Sequence, residues 1–130
     1  MPAPGVSEDN NVRQTARSRE IVRPMPSHRA VDGFSMTHAY VRTFWVAAIG
    51  PGAVADLLRL AAAAQSGRSL KMPTHLAVLA REGLAGRDES GTIRVPAIVP
   101  KLTPTQAHRL PPRLRREHQF VKDMGRPDTV

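Results

Sequence analysis

The chain has 130 residues, a net charge of +8 and no cysteine. The length suits one small domain, and the lack of cysteine excludes disulfides, iron–sulfur clusters and cysteine-type zinc sites. No segment has the pattern of a secretory signal. The longest apolar stretch, residues 44–64, holds Asp56 and Arg59, which disfavours a membrane span. We therefore expect a cytoplasmic protein with no membrane partner.

The positive charge is unevenly distributed. Residues 1–30 and residues 31–100 each carry a net +2, whereas residues 101–130 carry +4. Arginine supplies nearly all of it, because lysine occurs only at positions 71, 101 and 122. A GC-rich genome also produces arginine-rich chains, so the sign of the charge is more informative than the choice of arginine. That sign favours anionic partners and salt-sensitive binding.

Four segments are predicted along the chain. Residues 1–33 are rich in proline, serine and arginine without apolar periodicity, which predicts a disordered or loosely attached basic arm. Residues 34–100 form a helical core with a hairpin, residues 101–125 a basic helical extension, and residues 126–130 a disordered tail. A core of this size is marginal, so a docked C-terminal helix or a dimer contact would add stability.

The first predicted helix begins near Ser35 or Thr37, either of which can cap it. Its apolar face repeats at helical spacing through Val41, Phe44, Trp45 and Ala48. The sequence Gly50-Pro51-Gly52 ends the helix, because glycine and proline both disfavour its continuation.

The second predicted helix spans about Ala53 to Gln65, and Gly67 suits the left-handed position after it. Its run Ala61–Ala64 has small side chains that let another helix approach closely. That run can pack within the core or form the seam of a homodimer.

A third helix starts near Pro73 and Thr74 and is closed by Gly83. Residues 84–95 then predict a hairpin, because Asp88 to Gly91 has turn chemistry and the next residues alternate between polar and apolar.

Two further helical segments follow the hairpin. The residues Thr103-Pro104-Thr105-Gln106 fit a capping box, with threonine as N-cap and glutamine three residues later. After a short helical turn, Pro112 can start a last helix that runs to about Met124.

The stretch from Leu76 to Val95, LAVLAREGLAGRDESGTIRV, resembles the third helix and wing of the winged helix-turn-helix superfamily. The resembling features are leucines three apart at 76 and 79, the pair Gly83-Leu84, a polar turn with glycine, and a β-branched strand. The resemblance extends loosely over residues 37–96. It implies a mainly α fold with a small β-hairpin, in which a winged-helix-like three-helix core carries the C-terminal extension.

The resemblance also implies DNA binding, with the third helix in the major groove. Its candidates for base contacts are Lys71, Thr74, His75 and Arg81, while Arg87 and Arg94 on the wing would meet phosphate or the minor groove. The segment from 109 to 116, RLPPRLRR, adds Arg113, Arg115 and Arg116. These arginines can form a solvated basic face, contact nucleic acid or an acidic partner, or belong to a helix packed on the core or on a second subunit.

Catalytic and metal-binding motifs are not found in the sequence. The five histidines, at 28, 38, 75, 108 and 118, lack metal-ligand spacing, and the serines are not in a nucleophile-elbow pattern. We therefore predict no enzyme activity and no cofactor.

The sequence predicts a double-stranded DNA-binding protein, such as a small bacterial transcriptional regulator or accessory factor. A homodimer through the Ala61–Ala64 helix or the C-terminal helix is compatible with it. The alternative is a protein-interaction module whose basic C-terminal helix docks on an acidic partner or RNA.

Overall fold

A computed structural model describes residues 20–27 and 32–123, which form a mixed α/β fold with about 48% helix and 15% strand. Helix α1 spans residues 39–49 and contains the π-helical turn Val41–Trp45 followed by Val46–Ile49. The other helices in this part of the chain are α2 (Pro51–Ser66), α3 (Leu76–Arg81), α4 (Pro104–Ala107) and α5 (Pro112–Asp123).

Seven short strands form three small sheets in the described residues. They are β1 (Ile21–Val22), β2 (Met25–Pro26), β3 (Phe34–Ser35), β4 (Leu70–Lys71), β5 (Gly86–Arg87), β6 (Ile93–Val95) and β7 (Ile98–Val99). Strand β1 pairs antiparallel with β4, and β3 pairs antiparallel with β7. Strand β6 lies between β5, which is antiparallel to it, and β2, which is parallel to it.

The helices and the hairpin lie close to where the sequence predicts them. In the hairpin β5–β6, Arg87 is opposite Ile93, and the backbone N–H groups of Ser90 and Thr92 donate to Asp88 Oδ1 at 2.9 and 3.0 Å. The predicted capping box is also confirmed, because Thr103 and Gln106 exchange side-chain to backbone hydrogen bonds. Local signals of capping and turn chemistry were sufficient to locate these elements.

The prediction that residues 1–33 form a loosely attached arm is wrong for residues 20–27. Strands β1 and β2 lie in this segment, where Val22 and Pro24 are buried. The N–H of Met72 donates to the carbonyl of Glu20 at 2.6 Å, which extends the pairing of β1 with β4. Backbone pairing orders this segment without apolar periodicity. Residues 1–19, 28–31 and 124–130 of the predicted arm, extension and tail lie outside the described residues.

The predicted fold class is right only in part. The chain does place three helices ahead of a hairpin, but β4 separates α2 from α3, and β2 adds a parallel strand beside the hairpin. The predicted fold has a mainly α core with one hairpin, whereas the observed fold contains a larger share of short paired strands.

One hydrophobic core joins the helices, the strands and the C-terminal extension. Trp45 is fully buried, and its indole N–H donates to the carbonyl of Pro100 at 2.8 Å. Leu110 from the extension is buried in the same cluster. In the alanine run of α2, Ala63 and Ala64 are buried, so half of this run packs within the chain. No helix in the described residues is long and apolar enough to cross a membrane.

Candidate nucleic-acid interface

His75, a predicted DNA contact, is held by a buried carboxylate. Asp56 on α2 is 2% exposed, and its Oδ2 accepts hydrogen bonds from the backbone N–H of His75 at 3.0 Å and from Nδ1 at 2.8 Å. Arg59, one turn later on α2, pairs with the other carboxylate oxygen. Burial acts to raise the pKa of Asp56, but the two His75 hydrogen bonds and Arg59 outweigh it, so the pKa lies below its usual value. The cluster fixes the start of α3 against α2.

The small residue Gly52 makes room for the His75 ring. A Cβ atom added at Gly52 would lie 2.7 Å from His75 Cε1, closer than real Cβ contacts. The glycine that ends α1 in the sequence pattern therefore also lets the imidazole pack against the first turn of α2. His75 is thus a structural residue that joins two helices.

Helix α3 exposes little that could read a base edge. It has six residues, and the exposed ones are Ala77, Ala80 and Arg81. Alanine offers no hydrogen-bonding group, so Arg81 is the one exposed side chain of α3 able to donate to a base. Its Nε lies 3.5 Å from Glu82 Oε2. The helix that the resemblance implies for the major groove is chemically poor for that role.

Glu82, directly after α3, links this helix to the C-terminal extension. Its side chain is 4% exposed, and its carboxylate accepts two hydrogen bonds from Arg109 at 3.0 and 3.1 Å and one from Gln106 at 2.9 Å. The Arg109 guanidinium and the Gln106 amide hold the pKa of Glu82 below its usual value although burial opposes them. The charges of Glu82 and Arg109, which lie near the predicted recognition surface, therefore neutralise each other within the chain.

The wing arginines also have partners within the chain. Arg94 Nε donates to Asp88 Oδ2 at 2.9 Å, and Arg94 Nη1 lies 3.3 Å from the carbonyl of Pro26. Hydrogen bonds from Ser90 and the Arg94 guanidinium hold the pKa of Asp88 far below its usual range. Arg87 donates to the carbonyl of Gly91 at 2.9 Å. These contacts stabilise the hairpin and reduce the charge that the wing presents.

A different surface, on the β1–β4 ribbon, presents cations that have no acidic partner among the described residues. Ile21 faces Lys71 across the ribbon, and these two residues point outward while Val22 points into the core. Arg23 is also exposed, and its guanidinium reaches the end of α2, where a Cβ atom at Gly67 would lie 3.5 Å from Arg23 Nη2. Strand alternation therefore places Arg23 and Lys71 on the same outer side.

Gly67 also brings Arg68 to this side of the molecule. The glycine has φ 65° and ψ 30°, the left-handed conformation that ends α2, and the N–H of exposed Arg68 donates to the carbonyl of Ala63 at 2.9 Å. We call Arg23, Arg68 and Lys71 the ribbon surface. None of the three forms an ion pair with another residue of 20–27 or 32–121.

A small groove borders the ribbon surface between α2 and β4. Its volume is about 240 Å³, and Arg59, Lys71 and Thr74 line it together with buried Asp56. Arg87 of the hairpin approaches from the other side, where its guanidinium lies 3.9 Å from Met72 Sδ and 3.7 Å from Glu20 Oε1. Of the residues predicted on the third helix and the wing, Lys71, Thr74 and Arg87 thus lie near one another.

The three predicted α5 arginines form a separate basic region. Arg113 and Arg116 are exposed, and half-buried Arg115 lines a groove of about 470 Å³ together with Lys101 and His108. None of these arginines has an ion pair within the described part of the chain. The predicted DNA contacts therefore lie in three regions, which are the α3–wing region, the ribbon surface and α5. In the α3–wing region, each candidate already has a partner within the chain: His75, Arg81, Arg87 and Arg94.

Arg23 and Arg68 were not among the predicted contacts. Arg23 lies in the segment predicted to form a loose arm, and Arg68 directly follows Gly67, which is predicted to end the second helix. The sequence Ile21-Val22-Arg23 does not itself alternate between apolar and polar residues, so its exposed–buried–exposed pattern can be recognised only once the pairing with β4 is known.

In residues 20–27 and 32–123, no group of three or more histidine, aspartate or glutamate side chains could hold a metal ion. No protein-family model matches this chain, and neither a curated protein nor a solved structure matches it.

Proposed function

We propose that this protein binds the phosphate backbone of double-stranded DNA and that the ribbon surface makes the main contact. The observation that supports this proposal most directly is that Arg23, Arg68 and Lys71 form no ion pair with another described side chain. Cations already bound to carboxylates release few counterions when they meet phosphate, whereas unpaired ones contribute their full share to binding.

The surroundings of the ribbon surface favour a duplex over single strands. A two-stranded ribbon fits the width of the major groove. Binding of single strands relies on stacking on exposed aromatic rings. Tyr40, Phe44 and Trp45 are buried, and the exposed Phe120 lies on α5 and is not part of the ribbon surface. Contact with phosphates also requires no specific sequence.

The winged-helix resemblance is retained in a reduced form. The order of three helices and a hairpin is the one that the resemblance implies, and a role as a small transcriptional regulator or accessory factor belongs to the same proposal. The proposed contact nevertheless lies beside the hairpin on β1 and β4 and does not use α3 as a recognition helix. Non-enzymatic binding remains part of the proposal.

The experiment compares two variants that lose the same charge. One is the ribbon variant Arg23→Ala/Arg68→Ala/Lys71→Ala, and the control is Arg42→Ala/Arg113→Ala/Arg115→Ala, which removes three arginines that lack ion pairs in the described residues. Fluorescence anisotropy with a labelled duplex is recorded between about 50 and 200 mM salt.

The ribbon variant is expected to bind at least about tenfold more weakly and to reduce the slope of log affinity against log salt by nearly 3, since each lost phosphate contact contributes about 0.9. The control should change both quantities less. An equal or larger loss in the control assigns binding to α5, and wild-type protein that does not bind duplex at low salt overturns the proposed function. Stronger binding to RNA than to duplex DNA overturns the choice of nucleic acid.

A further inference from the structure

A second exposed feature, unrelated to the ribbon surface, is an open groove between α1 and α5. Its volume is about 600 Å³, and its walls are mainly apolar. Ala39, Tyr40 and Phe44 line it from α1, and Phe120 and Val121 line it from α5. An open groove with apolar walls is a candidate for an interface.

The two walls of the groove are fixed by a buried hydrogen-bond network. Tyr40 Oη accepts a hydrogen bond from the N–H of Leu102 at 2.9 Å and shares a second hydrogen bond of 2.5 Å with His118 Nε2. The edge of the His118 ring packs on Phe44, with ring centroids 5.2 Å apart. Burial raises the pKa of Tyr40 to about 12, so its hydroxyl stays protonated and remains a donor. The groove is therefore preformed.

The groove lies beside an exposed anchor residue. Phe120 is 65% exposed, and Ile21 and Met25, the other large apolar residues exposed in the described part of the chain, lie on β1 and β2. The exposed Phe120 ring lies on the rim of a groove that is itself lined by aromatic residues. The same face of the molecule therefore carries both a projecting group and a pocket that can hold such a group. An interface with two-fold symmetry requires this kind of self-complementary patch.

Charges on the same rim are also self-complementary. Arg116 and Glu117 are adjacent on α5, both are exposed, and neither has an ion pair within residues 20–27 and 32–121. When two copies meet about a two-fold axis beside these residues, each Arg116 faces the other copy's Glu117, so the opposite charges pair twice. A partner of a single charge sign would meet one attractive and one repulsive charge at this rim.

We propose that the α1–α5 groove is the contact surface for a second copy of this chain, with Phe120 of each copy seated in the groove of the other. The proposal goes beyond DNA binding and does not rest on it. It also chooses between the two dimer contacts that the sequence left open. In the alanine run of α2, Ala63 and Ala64 are buried in the core and Ala62 is the exposed member, whereas α5 offers an exposed aromatic anchor.

Sedimentation velocity of the full chain in the absence of DNA tests the proposal over about 1–200 µM. The wild type is expected to reach twice the 14.2 kDa chain mass as its concentration rises. Phe120→Asp should weaken dimerisation at least about tenfold, because it places a charge in the apolar seam. The matched control Ala62→Asp adds the same charge on α2 and should leave the dimer unchanged.

A charge exchange at the rim separates pairing from any general effect on folding. Arg116→Glu alone and Glu117→Arg alone should each weaken dimerisation about tenfold, since like charges then face each other. The double variant Arg116→Glu/Glu117→Arg should restore it to within about threefold of the wild type, because both charge pairs re-form in reverse.

Three results would overturn the proposal. The first is a wild type that stays monomeric throughout the concentration range. The second is a dimer that Ala62→Asp disrupts and Phe120→Asp does not. The third is a lower melting temperature of Phe120→Asp than of the wild type, measured where both proteins are monomeric. That result would show that Phe120 fills the groove of its own chain. Each result is read without DNA and leaves the proposed function to its own test.

Discussion

The ribbon surface and the α3–wing region contain the same kinds of basic residue, yet they differ in what those residues contact. In the α3–wing region, Arg81, Arg87 and Arg94 all have partners within the chain, and His75 is bound to buried Asp56. On the ribbon surface, the three cations have no acidic partner in the described residues. The number of arginines near a motif therefore overstates the charge available to a ligand. The hydrogen bonds and ion pairs that each arginine makes within the chain decide how much of its charge a ligand can meet.

The largest expected effect is on the α3–wing region, from Asp56→Ala. The substitution leaves the partly buried N–H of His75 without its acceptor, and such a loss costs about 1–3 kcal/mol in the free energy of unfolding. The control Arg59→Ala should cost less than about 1 kcal/mol, because Arg59 is largely exposed and both His75 hydrogen bonds remain. Urea denaturation measures both values, and equal losses would contradict a structural role for the Asp56–His75 contact.

A smaller loss of stability is expected in acid. The pKa values of Asp56 and Glu82 are lower in the folded chain than in the unfolded chain, so their contributions are complete above about pH 5 and are lost as the pH falls through 4 and below. The loss at Asp56 should be smaller than in Asp56→Ala, because a protonated carboxyl still accepts hydrogen bonds. Thermal melts between about pH 3 and 7 measure this, and Asp56→Asn should flatten the profile. An unchanged profile in that variant would assign the acid sensitivity to other carboxylates.

The smallest effect is expected for Arg81→Ala. This side chain is 71% exposed and has only a long contact with Glu82, so we expect a change of less than about 1 kcal/mol in stability. Affinity for duplex DNA should change by less than about threefold, in contrast to the 1–3 kcal/mol that a base-reading arginine contributes. A loss of that larger size, together with relaxed sequence preference, would restore α3 as a recognition helix.

The sequence was sufficient to predict the elements that depend on neighbouring residues. Helical spacing placed the face of Val41, Phe44 and Trp45, all of which are buried, and turn and capping chemistry located the hairpin and α4. These signals act over a few residues, so they can be read without knowledge of the fold.

The rest depends on contacts between distant residues. Strand β1 pairs with a segment about fifty positions later, and the Glu82–Arg109 pair joins residues 27 positions apart. No local pattern announces either contact. For this reason the sequence placed Arg23 on a loose arm and treated Arg81, Arg87 and Arg94 as available contacts.

Mapping the backbone amides of the labelled full chain during a titration with a short DNA duplex tests the proposed interface most directly. At moderate salt, the first chemical-shift changes are expected in residues 21–23 and 67–72, with weaker changes at Arg87 and small ones across α3. Changes confined to residues 76–81, or to residues 112–119 of α5, would contradict the ribbon surface as the main contact with DNA.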